Sequence, residues 1–232
     1  MKRIPKTIAT LVALAAILAL AGSALALDKF ETDLKVQEAA VMVKKFMTSP
    51  DKDAPLWFLK HCKGVVIVPN MVKAGFVVGG KYGVGVVLAK TSKGWSLPSF
   101  ITIAGGSFGL QIGAQSTDLM LFIMNDKGLK GVLKNKLRFG VDAAVAAGPV
   151  GRDATAGLTA TSLKADVYSY SRSQGAFLGA TVDGSAMEIE PAYNQAYYGK
   201  KIGVNALLSG KAKVKVPKSA QQLVATLDKY SK

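Results

Sequence analysis

Apolar positions along this chain fall into textures that change abruptly. Over residues 29–47, Val36, Ala40, Val43 and Met47 recur at i, i+4, i+7 and i+11, which predicts a helix with one apolar face. Asp28 followed by Glu31 predicts a capping box at its start, and Ser49-Pro50 its stop. Lys35, Glu38, Lys44 and Lys45 fall off the apolar stripe. A second short helix is expected near Pro55, capped by Asp53 and finished by Gly64. From Gly64 the chain turns to valine, isoleucine and glycine. Residues 64–69 predict a buried strand, and residues 75–89 two strands or one bent strand. After a turn at Lys93-Gly94, residues 95–104 and 108–124 continue the pattern.

Residues 127–138 return to a helical period, with Leu129, Val132, Leu133 and Leu137 on one side and Lys127, Lys130, Lys134 and Arg138 on the other. Strands are expected again at 139–147, 163–171 and 175–189, with Asp183-Gly184 as a hairpin turn. Pro191 opens a helix reaching about Leu208. Residues 211–216 alternate as a strand, with Lys211, Lys213 and Lys215 on one face, and Ser219 caps a last helix packed through Leu223, Val224 and Leu227. The fold class expected is α+β: one domain over residues 27–232, with a curved antiparallel sheet or barrel-like body, N-terminal helices and a C-terminal helix.

The N-terminus changes the picture of where this domain works. Lys2, Arg3 and Lys6 precede an apolar run at residues 8–21, followed by Ala24-Leu25-Ala26. This is the layout of a secretory signal peptide over residues 1–26, and it predicts export to the periplasm. The apolar run falls short of the about 20 residues of a spanning helix, so an uncleaved anchor is the lesser reading. The leader carries three cations and no acid, so the formal charge falls from +15 to +12 on cleavage. That surplus favours a polyanionic partner, and an exported protein meets anionic phospholipid before nucleic acid. Aromatics near a cation, as in Tyr168-Ser-Tyr170-Ser-Arg172, also suit single-stranded nucleic acid, but no recognition motif accompanies them.

Candidate chemistry is sparse. Residues 105–109 spell Gly-Gly-Ser-Phe-Gly, matching the G-x-S-x-G nucleophile elbow at Ser107. The elbow demands a strand, a turn and a helix with the histidine last; here the single histidine, His61, lies upstream and the following residues look like a strand. His61 reads as a partner for a helix C-terminus. The single cysteine, Cys62, reads as a small buried hydrophobe. One histidine beside one cysteine builds no zinc site. Glu188 and Glu190 read as a solvated strand edge. No enzyme activity and no cofactor is expected.

The basic features remain. Residues 127–138 have the make-up of an interfacial amphipathic helix, or of an ordinary surface helix with solvated lysines. The 211–216 lysines fit a lipid contact or an edge strand guarded by lysine. Residues 73–87 (KAGFVVGGKYGVGVV), 94–98 (GWSLP), 105–118 (GGSFGLQIGAQSTD), 148–152 (GPVGR), 168–175 (YSYSRSQG) and 197–199 (YYG) follow one another in the order of the SYLF domain, which this chain resembles over roughly residues 35–210. The resemblance implies a lipid-binding module without a catalytic set. Eukaryotic relatives bind phosphoinositides, partly through an N-terminal amphipathic helix, and some bind and bundle actin; bacterial relatives are secreted or envelope proteins. The helix at 29–47 takes the corresponding place, which makes Lys44 and Lys45 the cationic pair carried over. With no partner domain expected after residue 210, actin binding and phosphoinositide specificity are not carried over. Gly79, Gly80, Gly83, Gly85, Gly105, Gly106 and Gly109 are read as structural. Arg152 and Arg172 either tie loops together or clamp a phosphate.

The candidate lipid-contacting residues are therefore Lys35, Lys44, Lys45, Lys130, Lys134, Arg138, Arg152, Arg172, Lys211, Lys213 and Lys215. The function expected is binding of anionic phospholipid at the envelope. The alternative is a structural or protein-interaction module without lipid affinity.

Overall fold

The structure is a computed structural model and describes residues 28–149, 158–159, 163–173, 176–179, 182 and 184–232. The expected leader, Arg152 and Asp183 lie outside the described residues. The chain opens with helices α1 (Lys29–Met47) and α2 (Asp53–His61). Strands β1 (Gly64–Thr91), β2 (Gly94–Trp95) and β3 (Ser99–Ile123) follow. After α3 (Asp126–Leu133) come β4 (Lys136–Arg138), β5 (Val145–Ala147), β6 (Val167–Ser173), β7 (Ala176–Gly179) and β8 (Ser185–Ile189). Helices α4 (Pro191–Tyr198), α5 (Val204–Leu208) and α6 (Lys218–Ser231) complete the chain. The fold is α+β, as expected, with a curled sheet forming a half-barrel. The sheet is mixed rather than wholly antiparallel, because β5 runs parallel to β6.

Two long strands make the body. β1 and β3 pair antiparallel from Gly64↔Ile123 to Val87↔Ser99, so the separate strands expected over 64–69, 75–89, 95–104 and 108–124 join into two continuous ones. β1 doubles back until its halves lie side by side: the Lys90 N–H donates to the Lys63 carbonyl at 2.8 Å. Gly85 sits so close to the first half that a Cβ there would stand 2.2 Å from the Ile67 carbonyl oxygen. The bend starts at a bulge, where Asn70 takes a left-handed φ of 54° and its N–H donates to Asp118 Oδ1 at 3.1 Å.

Alternate residues of the ribbon enter two cores. Ile67, Leu88, Phe100 and Phe122 join Phe46 of α1, Phe58 of α2 and Leu227 of α6. Val66, Val87, Ile101 and Leu121 join Val132 of α3, Leu137 of β4 and Leu208 of α5. A sheet covered on both faces reads as unbroken apolar runs, which is the texture seen from Gly64 onward.

Several local expectations are corrected. The helix expected over 127–138 stops at Leu133, and 136–138 form β4 against β8, so Arg138 lies on a strand. Asn135, at a left-handed φ of 68°, makes the break. Of the strand expected at 139–147, only 145–147 forms. Gly184 turns at φ 72°, but β8 pairs with β3 and β4 while β7 pairs with β6, so among the described residues the flanking strands do not form the expected hairpin. Gly199, also at φ 72°, ends α4 and divides the single helix expected after Pro191. Residues 211–216 belong to no strand. Asp28 caps α1 by accepting from the Phe30 N–H at 3.1 Å. Asp53 and Ser219 lie inside the first turns of their helices instead of capping them.

Candidate functional site

The motifs that carry the family resemblance meet one another in the interior. Tyr170 packs against Phe58 and Phe122, with ring centroids 5.6 and 5.8 Å apart, and its hydroxyl donates to the Pro149 carbonyl at 3.0 Å. Gly148 faces that ring so closely that a Cβ would lie 2.0 Å from a ring carbon, which explains why GPVGR and YSYSRS occur together. Likewise Tyr198 of YYG donates to the Pro98 carbonyl of GWSLP at 2.6 Å. Burial pushes the Tyr170, Tyr197 and Tyr198 hydroxyls well above the ordinary phenol range. These aromatics hold the fold, so they do not form a stacking platform for bases.

The segment around Ser107 runs mid-strand, its backbone opposite Gly79, and no strand-to-helix turn follows it. His61 Nδ1 donates to the Trp57 carbonyl at 2.7 Å and its ring stacks on Trp57 at 4.2 Å, the helix-end role expected of it. Cys62 is buried, and burial pushes its thiol up to about 12.

The candidate cations among the described residues do not converge on one site. Lys35 pairs with Glu38 at 2.7 Å in mid-helix. Lys44 and Lys45 are exposed in the last turn of α1, where Arg172 Nη1 of β6 donates to the Lys45 carbonyl at 3.0 Å. That bond ties β6 to the end of α1, the first of the two roles open to Arg172. Lys130 on α3 and Lys134 just after it are exposed to solvent. Arg138 is held bidentate by Asp142, at 3.0 and 3.2 Å, and the guanidinium keeps that carboxyl below its usual range. Lys127 pairs with Asp166 at 2.8 Å and Lys136 with Glu188, so much of the basic stripe expected over 127–138 is neutralised. Lys211, Lys213 and Lys215 are exposed on the irregular segment before α6, with Ala212, Val214 and Val216 turned inward.

The outer face of α1 is the feature the sequence reading missed. Phe30, Leu34 and Val41 are 71%, 45% and 51% exposed at i, i+4 and i+11, on the side opposite the buried Val36, Val43 and Phe46. Lys44 and Lys45 follow Val41 at i+3 and i+4, so they continue this face. Val72 and Tyr82 of β1, 47% and 54% exposed, stand across a groove of about 400 Å³ that Leu34, Lys35 and Tyr193 also line. Five of the six large exposed apolar side chains among the described residues thus lie on α1 or beside this groove. The neighbouring acids Asp33 and Glu38 are engaged by Ser219 and Lys35, at 2.7 Å each, which leaves the C-terminal end of the face cationic. A second apolar stripe was legible in the spacing of Phe30, Leu34 and Val41, but the stripe that packs inside masked it.

Comparison with known proteins follows the same residues. A family model named Ysc84, described as Las17-binding protein actin regulator, matches residues 104–230. Protein YSC84 of Saccharomyces cerevisiae is 33% identical over 202 residues, covering 84% of this chain and 42% of that protein. SH3 domain-containing YSC84-like protein 1 of Xenopus laevis is 32% identical over 203 residues, covering 84% of this chain and 59% of that protein. LAS seventeen-binding protein 3 of Saccharomyces cerevisiae is 33% identical over 181 residues, covering 77% of this chain and 39% of that protein. The chain spans between 39% and 59% of the length of these relatives. With the family model covering more than half of the chain, and the family motifs seen in mutual contact, this chain belongs to the Ysc84 (SYLF) family.

Proposed function

We propose that this protein is a non-catalytic, exported binder of anionic phospholipid, seated on a periplasmic membrane surface by the outer face of α1. The observation that supports this reading is the exposed stripe Phe30, Leu34 and Val41, continued by Lys44 and Lys45. Such a face lies in the headgroup boundary with apolar side chains down and lysines toward lipid phosphate. Burying apolar area contributes about 25 cal/mol per Å², and each lysine near an anionic surface adds about 1 kcal/mol. The two terms act on the same face and add. Lys130 and Lys134 belong to the α3 region, which packs on the other core, and add to long-range attraction.

The test is co-sedimentation with vesicles of neutral phosphatidylcholine against vesicles containing phosphatidylglycerol or cardiolipin, at low and high salt. Binding is expected to the anionic vesicles only and to weaken with salt. Lys44→Glu with Lys45→Glu should lower it by about tenfold or more, and Leu34→Asp with Val41→Asp should abolish it. Absence of binding at low salt excludes the reading. It then favours a second one, in which the groove between Leu34, Val72, Tyr82 and Tyr193 docks a protein, as the names of the Las17-binding relatives suggest for them.

A further inference from the structure

A cavity of about 510 Å³ opens between the β1–β2 turn, the 209–216 segment and α6. It shares no lining residue with the α1 groove. Left-handed glycines set its two walls: Gly94, at φ 109°, reverses the chain between β1 and β2, and Gly210, at φ 71°, turns it out of α5. The volume falls within the range of about 300–1,000 Å³ common to small-molecule pockets.

The chemistry of the lining selects the ligand. Trp95, Leu97, Ala212, Val216 and Val224 supply the apolar surface. The neutral polar side chains around them are largely spent within the protein. Ser96 Oγ accepts from the Ala89 N–H at 2.9 Å and donates to the Leu97 carbonyl at 3.1 Å. Thr91 Oγ1 donates to the Gly94 carbonyl at 2.8 Å, and Gln221 Nε2 to the Val216 carbonyl at 3.1 Å. Trp95 Nε1 donates to Ser231 Oγ at 3.0 Å. A polar ligand such as a sugar finds few free partners here. Lys93 and Lys211 are the charged residues of the lining; both are exposed, and neither makes a side-chain hydrogen bond or ion pair among the described residues. The lining contains no acid, although Asp228 stands beside Gly94.

We propose that this cavity binds a single-chain anionic amphiphile, its chain against Trp95, Leu97, Val216 and Val224 and its carboxylate or phosphate held by Lys93 and Lys211. Lysines at the mouth of an apolar cavity reward a ligand with one charged end and reject one without it. The inference goes beyond seating on a bilayer, since it assigns a separate site that takes one chain from solution.

The chain has two tryptophans, so Trp57→Phe leaves Trp95 as the only reporter. In that background, Trp95 fluorescence is titrated with dodecanoate, dodecyl phosphate and dodecanol, each below its aggregation limit and without vesicles. Saturable changes are expected with one or both anions; which of the two binds tighter identifies the headgroup. Dodecanol should bind at least about tenfold more weakly, and Lys93→Glu with Lys211→Glu should weaken the anions by about tenfold or more. Ala212→Phe, which puts a phenyl ring into the cavity, should weaken saturable binding while circular dichroism stays that of the parent. No saturable response to either anion, dodecanol binding as tightly as the anions, or unchanged binding by Ala212→Phe overturns the assignment. Because no bilayer is present, that failure leaves the reading of α1 standing.

Discussion

Two single residues have their chemistry set by what the fold places around them. Cys62 ends α2 as its buried C-cap, with its thiol pushed up to about 12, so at pH 8 it holds almost no thiolate. A thiol reagent such as Ellman's should leave the native protein unmodified at pH 8 and react only as urea unfolds it; rapid labelling of the native protein contradicts the buried placement. Asp166 is the second case. Burial pushes its carboxyl up, but Lys127 at 2.8 Å, Asn125 at 2.8 Å and the Ala144 N–H at 2.9 Å outweigh this and hold it below the usual range. A depressed folded value means that its contribution is complete above the ordinary carboxylate pKa of about 4 and is lost as pH falls through the folded value. Asp166→Asn should therefore cost about 1–3 kcal/mol at pH 7 in urea unfolding, with the difference from the parent shrinking toward pH 3. An equal cost at both pH values contradicts the charge-based account. In the sequence Asp166 is one of several scattered carboxylates, because its partners lie 22 to 41 positions away.

At the scale of elements, the glycines of the ribbon separate into those the fold requires and those it tolerates. Gly85 and Gly105 have backbone or side-chain atoms within 3 Å of where a Cβ would stand, whereas Gly106 has nothing within 4 Å. Gly85→Ala should destabilise by about 2 kcal/mol or more through overpacking, while Gly106→Ala should be within about 1 kcal/mol of the parent, on either side. Equal thermal shifts for the two would mean that β1 does not double back as described. The sequence reads Gly85, Gly105 and Gly106 alike as structural, and only contacts with distant residues tell them apart: Ile67 across β1 for Gly85 and Ser185 of β8 for Gly105. The helices show the same division. The cap at Asp28 and the stop at Ser49-Pro50 were legible because they act within a few residues. Ser219 was misread as a cap because its partners, Asp33 and Tyr197, belong to α1 and α4.

For the whole molecule, charge is a property the composition states and the fold redistributes. A formal +15 suggests a broad basic surface, and the fold sorts it: Lys127, Lys136 and Arg138 enter ion pairs, Lys130, Lys134, Lys213 and Lys215 face solvent, Lys44 and Lys45 stand beside an apolar face, and Lys93 and Lys211 line a cavity. The vesicle and amphiphile tests should therefore respond to different lysine pairs, with salt weakening the bilayer interaction through screening over about 10 Å.

The sequence by itself determined the fold class, the family and most helix positions, because hydrophobic period, capping residues and ordered motifs are properties of neighbours in the chain. It also determined that Tyr168, Tyr170, Tyr197 and Tyr198 belong to family blocks, without saying that the blocks touch. Tertiary structure decided the continuity of β1 and β3, the outward stripe of α1 and the walls of the second cavity. Each of these rests on which residues distant in sequence come within a few ångströms. A residue such as Val41, apolar in either case, is core or docking surface according to which side of α1 the sheet covers.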